Sequence, residues 1–158
     1  MIEETEDEVV VESFGIAHRL SRDRAYVGGL EFVSHKLIGT SRRFPCGSME
    51  SYAGHVAAVP PRLLYERQNI GGSQLKINNP STLNGLPVMV FTGSDDTDHP
   101  KEIDRAIVDW LIEAGAKAEY CWLPDHGIDG NGHMLMMEEN SDELADIIID
   151  WTGLLPSC

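Results

Sequence analysis

A chain of 158 residues, with 42% hydrophobic and 24% charged residues, has the composition typical of a globular domain and contains no apolar run long enough to span a bilayer. The net charge is −14, and residues 80–158 hold 16 acidic residues against 3 basic ones. Such a surface repels phosphate backbones, so these properties argue against nucleic-acid binding and membrane insertion and favour a small or neutral partner.

The two ends of the chain and its cysteines set further expectations. The first residues, M-I-E-E-T-E-D-E, lack the basic and then apolar pattern of a secretory signal, so the sequence predicts a cytoplasmic protein. Its three cysteines, Cys46, Cys121 and Cys158, show no C-x-x-C spacing, which predicts free thiols. The length fits a single domain over residues 1–158.

Residues 1–80 carry weak patterns. Val9–Val11 is typical of a short strand, and Leu30–Ile38 of a passage from helix to strand that leads into G-T-S-R-R. Tyr52–Val59 is predicted to be helical up to a Pro-Pro break, with a short strand at Leu63–Tyr65. Asn69–Gly85 is rich in Asn, Gly, Ser and Pro, which predicts a long irregular connection.

A strand and then a helix are predicted from residue 86 onward. Leu86–Gly93, L-P-V-M-V-F-T-G, is a nearly unbroken apolar run, as in a strand buried on both faces of a parallel sheet. Pro100 fits the first turn of a helix that stops at Gly115. The predicted apolar face of this helix consists of Ile103, Ala106, Ile107, Trp110, Leu111 and Ala114.

A second strand and helix follow. Ala118–Leu123, A-E-Y-C-W-L, predicts a strand that ends at Pro124. Asn140 and Glu143 have the spacing of a capping box ahead of a last helix. The predicted apolar face of that helix consists of Leu144, Ile147, Ile148 and Trp151. The order strand, helix, strand, helix predicts an α/β fold with a parallel sheet and flanking helices.

Polar segments follow both predicted strands, at the sheet edge where parallel strands place ligand chemistry: S-D-D-T-D-H and D-H-G-I-D-G-N-G-H. Gly130 and Gly132 give the turn that carries His133 small residues that let a substrate approach, which suits a general base; the alternative is an incidental surface histidine. One of Asp95, Asp96 and Asp98 could orient the imidazole, while the others cap the next helix.

The segment G-N-G-H-M-L-M-M-E-E-N-S-D-E-L-A-D-I-I-I-D-W resembles the C-terminal histidine loop and last helix of α/β-hydrolases, and P-V-M-V-F-T-G-S-D-D resembles their penultimate strand. The likeness covers residues 86–152 and is closest to a subgroup of bacterial and fungal serine esterases. It implies that His133 is the catalytic histidine and Asp96 its acid. The subgroup places its acid earlier, where Glu66 in R-L-L-Y-E-R is the candidate, so both acids stay open.

The nucleophile of that family lies in a G-x-S-x-G turn, which this chain lacks. The nearest segment is L-I-G-T-S-R-R-F, which makes Ser41 the candidate nucleophile, although Arg43 stands where the last glycine belongs. Only 40 residues precede Ser41, fewer than the strands and oxyanion-hole loop of the family need. The lost oxyanion donors would cost about 3 kcal/mol of barrier lowering. The resemblance therefore implies a partial α/β-hydrolase fold, whose open sheet edge favours a homodimer.

Taken with these patterns, the resemblance implies a serine-type carboxylic ester hydrolase that acts on a small-molecule ester without a cofactor, through Ser41, His133 and either Asp96 or Glu66. The alternative is a non-catalytic α/β remnant that serves in binding or assembly. The D-D-T-D-H segment at Asp95–His99 offers ligands for a divalent ion but lacks the Gly and Glu positions of a calcium loop, so no metal site is predicted.

Overall fold

The computed structural model describes residues 2–13, 16–66 and 78–154. The chain divides into two compact units, one formed by Met1–Gly29 with His55–Asn78 and the other by Leu30–Gly54 with Asn79–Cys158. The expectation of a single domain stays a prediction.

The first unit contains a three-stranded antiparallel sheet in the order β1-β2-β3, formed by Ile2–Glu4, Glu8–Ser13 and Ile16–Ser21. Val9 on β2 pairs with Leu20 on β3, and both side chains are buried. The predicted short strand at 9–11 is confirmed and is longer than expected. The antiparallel sheet itself was not predicted, because its register depends on pairing between strands rather than on local pattern.

Two of the strands expected in the first 80 residues are helices. The predicted passage to a strand at 30–38 is wrong, since α1 (Leu30–Phe32) continues as a π-helical segment, Val33–Ile38. This helix stops at Gly39, whose positive φ of 58° suits glycine. The strand expected at 63–65 is also wrong: α3 spans Pro61–Glu66, and proline at a first helical position has its φ already set for a helix.

The predicted helix at 52–59 is only partly confirmed. Helix α2 begins earlier, at Met49, and ends at Ala53, where Gly54 follows. Within the irregular connection expected at 69–85, residues 69–77 lie outside the described residues. Pro80–Leu83 forms a short 3-10 turn in which the Asn79 side chain accepts a hydrogen bond from the backbone N–H of Ser81.

The second unit contains the predicted strand, helix, strand and helix. These are β4 (Pro87–Thr92), α4 (Lys101–Glu113), β5 (Lys117–Trp122) and α5 (Ser141–Gly153). Strands β4 and β5 pair in parallel, from Pro87 with Lys117 to Thr92 with Trp122, as the helical crossover requires. The mixed α/β fold with a small parallel sheet is therefore confirmed, whereas the expectation that β4 is fully buried on both faces is wrong, because most of its residues are only half-buried.

The predicted face of helix α4 is only partly confirmed, because Leu111 and Ala114 are half-buried while the other four predicted residues are exposed. The buried residues of α4 are Asp104 and Val108, one turn apart, whereas Ile103, Ile107 and Trp110 are 54%, 38% and 50% exposed. A two-stranded sheet is narrow, so it covers one stripe of the helix and leaves the adjacent apolar stripe uncovered. The predicted homodimer stays a prediction.

The core of this unit lies between the sheet, the loop after β5 and α5. Leu123, Ile128 and Leu144 are buried together, and the residues packed against them are Phe91, Leu135 and Ile147. The predicted face of α5 is confirmed at Leu144, while Ile148 is 44% exposed.

Within residues 2–13, 16–66 and 78–154, no helix combines the length and apolar character that crossing a bilayer needs.

Candidate functional site

The loops after β4 and β5 lie side by side at the carboxyl end of the parallel pair. The backbone N–H of Asp95 donates to the carbonyl of Asn131 at 2.8 Å, and the N–H of Gly130 donates to the Ser94 hydroxyl at 2.7 Å. Gly93 lies so close to Asn131 that a Cβ added there would overlap the Asn131 carbonyl. The two polar segments that the sequence placed at one sheet edge are therefore in direct contact.

His133 and Asp96 form a pair across these two loops. The Nδ1 atom of His133 lies 3.1 Å from Oδ2 of Asp96, and the two side chains are 28% and 7% exposed. The other carboxylate oxygen of Asp96 accepts the backbone N–H groups of Asp98 and His99, at 2.9 and 2.8 Å. These backbone bonds fix the carboxylate, so that Oδ2 faces the imidazole.

The surroundings of Asp96 favour its charged form. Burial alone would raise the pKa of this carboxyl, but the hydrogen bond and charge of His133 and the N–H groups of His99 and Asp98 outweigh it and leave the pKa below its usual value. A carboxylate held ionised beside an imidazole stabilises the imidazolium that forms when the ring takes up a proton.

Two other acids were candidates for the partner of the imidazole, Asp95 and Glu66, and neither is placed beside His133 by the described contacts. Asp95 makes a two-point ion pair with Arg42, with N–O distances of 2.8 and 3.2 Å, and this guanidinium holds the pKa of Asp95 below its usual value. Arg42 also contacts Asp129 at 3.0 Å, so it ties residues 41–44 to both loops. Glu66 lies at the end of α3 in the first unit, and its side chain is outside the described residues.

Ser41 lies against the histidine loop, in a setting that differs from a nucleophile turn. Its hydroxyl donates to Oε1 of Glu138 at 2.5 Å and accepts the backbone N–H of Arg43 at 3.2 Å. A Cβ on Gly132 would lie 2.7 Å from Cβ of Ser41. Ser41 follows the end of a helix rather than a strand, and the next described helix begins only at Met49, so the strand-turn-helix geometry of the family is not formed around it.

Glu138 is a buried carboxylate that the sequence reasoning missed. It is 2% exposed and accepts three donors: the Ser41 hydroxyl, the Gly132 backbone N–H at 2.7 Å and the Asn131 side-chain amide at 2.6 Å. Asn131 is itself fully buried and also donates to Asn140 at 2.7 Å. Since Gly132 directly precedes His133, Glu138 fixes the backbone that carries the imidazole.

Asn140 was predicted to cap α5, and this expectation is wrong. It stands at the position before the helix, but its side chain makes no cap hydrogen bond. Its amide instead donates to Asn131 and Glu143, each at 3.2 Å. The asparagine is recruited into the buried polar cluster around Glu138 rather than used by the helix end.

A second imidazole, His99 at the end of the D-D-T-D-H segment, lies beside the first. His99 Nδ1 is 2.8 Å from Oδ1 of Asp104, which is 4% exposed and accepts the Thr92 hydroxyl with its other oxygen at 2.5 Å. The rings of His99 and His133 have centroids 5.2 Å apart and nearly parallel planes. Together with Asp98, the two histidines offer metal-ligand atoms within 4.8 Å of one another.

Comparison with known proteins gives one partial likeness. The chain is 35% identical over 69 residues to a probable secreted lipase, phiG, of a fungus (Fungal sp., strain ATCC 74256). The match covers 44% of this chain but 18% of the relative, so the chain spans less than a fifth of that protein's length. No family model matches the chain. No solved structure matches it either. The comparison supports a relationship of the lipase or esterase kind.

The same comparison corrects the predicted location. The cytoplasmic assignment rested on the acidic residues 1–8, whereas the relative is described as a probable secreted lipase. The description of that relative contradicts the cytoplasmic prediction, which is wrong.

Proposed function

We propose that the protein is a secreted ester hydrolase of the α/β-hydrolase type, in which His133 and Asp96 form the general-base pair. The observation that carries this proposal is the 3.1 Å contact between His133 Nδ1 and Asp96 Oδ2 at the carboxyl end of parallel strands. The partial likeness to a secreted lipase supports the same class of substrate, a carboxylic ester.

The pair is suited to proton transfer. When Nδ1–H of His133 donates to Asp96, the ring holds its lone pair on Nε2, the atom that accepts a proton from an attacking hydroxyl. The ring then returns this proton to the leaving alcohol as the acyl-enzyme forms. Asp96 keeps the tautomer and stabilises the charged ring in between, and this mechanism needs no cofactor.

Ser41 is the proposed nucleophile, and its environment sets a condition on that role. Its hydroxyl now donates to the buried Glu138 carboxylate, and a hydrogen bond to a charged group contributes about 1.5 to 3 kcal/mol. The serine must give up that bond before it can donate to His133. The same bond, together with the missing strand before Ser41, favours the second candidate, a non-catalytic α/β binding module in which Ser41 only braces the loop.

Hydrolysis of p-nitrophenyl acetate and labelling with a fluorophosphonate separate these two functions. For the hydrolase we expect label on Ser41, loss of labelling in Ser41→Ala, and a fall in kcat of about 10²- to 10⁴-fold in both His133→Gln and Asp96→Asn. His126→Gln changes an exposed histidine of the same segment and serves as the matched control, with an unchanged rate.

Each result of these assays selects one of the two functions. Rates that are equal in wild type, His133→Gln and Asp96→Asn, with no labelled serine, would reject the hydrolase and leave the binding module. Label on a serine other than Ser41, with rates still dependent on His133, would keep the hydrolase and replace its nucleophile.

A further inference from the structure

We propose that His99, His133 and Asp98 form a binding site for a divalent transition metal, with zinc as the best-matched ion. One ligand atom from each of these three side chains lies within 4.8 Å of the other two. Asp98 and His99 come from the loop after β4 and His133 from the loop after β5, so two neighbouring loops supply the set.

A second, independent observation concerns Nδ1, the ring nitrogen of each imidazole that does not face the proposed ion. Both rings direct Nδ1 at a carboxylate that is almost fully buried: His99 at Asp104 and His133 at Asp96. In protein metal sites a ligating histidine almost always gives its other ring N–H to a carboxylate, carbonyl or water, which fixes both the tautomer and the ring orientation. The arrangement leaves the lone pair of each neutral ring on Nε2, the atom a metal binds.

The centroid spacing of the rings fits a shared ion, whereas their nearly parallel planes do not: an imidazole binds a metal in its own ring plane, so the rings must rotate before both Nε2 atoms face one ion. Two imidazoles bound to one tetrahedral zinc ion, with Zn–N distances near 2.0 Å, have centroids about 5 Å apart. The centroids of His99 and His133 are 5.2 Å apart. The three ligand atoms must also close from within 4.8 Å of one another to the roughly 3.3 Å separation of tetrahedral ligands, a movement within the reach of three side chains on two loops.

The ligand types select the class of ion. Two imidazole nitrogens favour zinc, copper or nickel, whereas calcium and magnesium prefer sites made of oxygen ligands. Three protein ligands leave the fourth tetrahedral position for water or a small molecule. The acidic residues that predominate in residues 80–158 raise the local concentration of cations.

One consequence rests on the proposed hydrolase function. The Nε2 atom of His133 cannot hold a metal ion and take a proton at the same time, so zinc at this site inhibits ester hydrolysis. Metal binding itself does not depend on that function and is measured without substrate.

The test is a titration of the full chain, first stripped of metal with a chelator, with Zn²⁺ by calorimetry and with Co²⁺ by visible absorption. We expect one equivalent bound, with the absorption of tetrahedral cobalt. Asp104→Asn alters the carboxylate that faces both His99 and the Thr92 hydroxyl without removing a metal ligand, and it is expected to weaken binding about 10- to 100-fold. His99→Gln and Asp98→Asn remove ligands and are expected to weaken it at least as much. His126→Gln is the matched control, and circular dichroism checks that each variant is folded.

Equal affinity in wild type and His99→Gln, or equal losses in His99→Gln and His126→Gln, would overturn the site and assign the binding to the acidic surface at large. Zinc binding that depends on His99 in a protein without esterase activity supports the site and rejects the hydrolase. Esterase activity that persists at saturating zinc, with His133 essential for it, would overturn the site.

Discussion

Replacing Glu138 by glutamine tests the physical basis of the histidine loop. The carboxylate is buried and accepts the Ser41 hydroxyl and Gly132 N–H on Oε1 and the Asn131 amide on Oε2. Glutamine has nearly the same shape and can keep one acceptor oxygen, but its amide nitrogen replaces the other acceptor with a donor. In Glu138→Gln, two donors therefore face each other at Asn131.

The magnitude follows from these three bonds. Two of them change from charge-assisted to neutral, which removes about 1 kcal/mol each, and the third is lost with its donor left buried, at about 1 to 3 kcal/mol. The smaller desolvation cost of an amide offsets part of this loss. We expect Glu138→Gln to lower the free energy of unfolding by about 2 to 3 kcal/mol, which corresponds to a Tm lower by roughly 4 to 12 °C for a chain of this size.

Urea denaturation followed by far-UV circular dichroism measures this loss, and hydrogen exchange of the Gly132 amide reports it locally. Glu139→Gln is the matched control, because Glu139 is the adjacent and exposed glutamate, where a change within about 0.5 kcal/mol is expected. Stabilities that are equal in the two variants, or unchanged protection of the Gly132 amide, would refute the view that Glu138 anchors this loop.

Three further predictions concern the surroundings of the site. Because the pKa of Asp96 is lowered in the folded state, its contribution to stability is present above its unfolded pKa of about 4 and is lost as the pH falls through the folded pKa. The difference in unfolding free energy between wild type and Asp96→Asn should therefore narrow on acidification from about pH 5; a constant difference would contradict this. Burial raises the pKa of the Cys121 thiol to about 11, so iodoacetamide at neutral pH should alkylate the exposed Cys46 before Cys121. Peptide mass spectrometry measures both alkylation rates, and equal rates would argue against the burial of Cys121. Gly93→Ala should lower the free energy of unfolding by more than about 2 kcal/mol in a thermal melt, because the new Cβ overlaps the backbone of Asn131, whereas Gly153→Ala, where a Cβ meets open space, should change it by less than about 1 kcal/mol. Similar losses in the two variants would exclude the close approach of Gly93 to Asn131.

The second unit was largely predictable because its signals are local. An apolar run ending in glycine specified β4, and the three- and four-residue apolar steps specified α4. A helical crossover returns the chain to the start of the sheet, so two adjacent strands that it links are parallel and share a carboxyl edge. The position of His133 and Asp96 at that edge was therefore accessible from sequence.

Elements whose patterns fit both helix and strand were not predictable in this way. Residues 30–38 carry apolar side chains on alternate and on fourth positions, and they form a helix that ends only where Gly39 takes a positive φ. The stripe of α4 that packs depends on how wide the sheet is, which periodicity does not report. Val108 is buried and Ile107 exposed on the same helix for that reason.

The polar residues that organise the site were hidden for a related reason. Glu138 and Asp104 both look like solvated charges at the start of helices, where acidic residues are common for electrostatic reasons alone. Each is buried because other segments supply donors: the Ser41 hydroxyl reaches Glu138, and the Thr92 hydroxyl on β4 and the His99 ring in the following loop reach Asp104. A carboxylate loses several kcal/mol on leaving water and is kept in a core only when donors replace that hydration. A buried acid in this fold therefore marks a place where separate segments are held together: Glu138 braces the backbone before His133, and Asp104 orients the His99 ring.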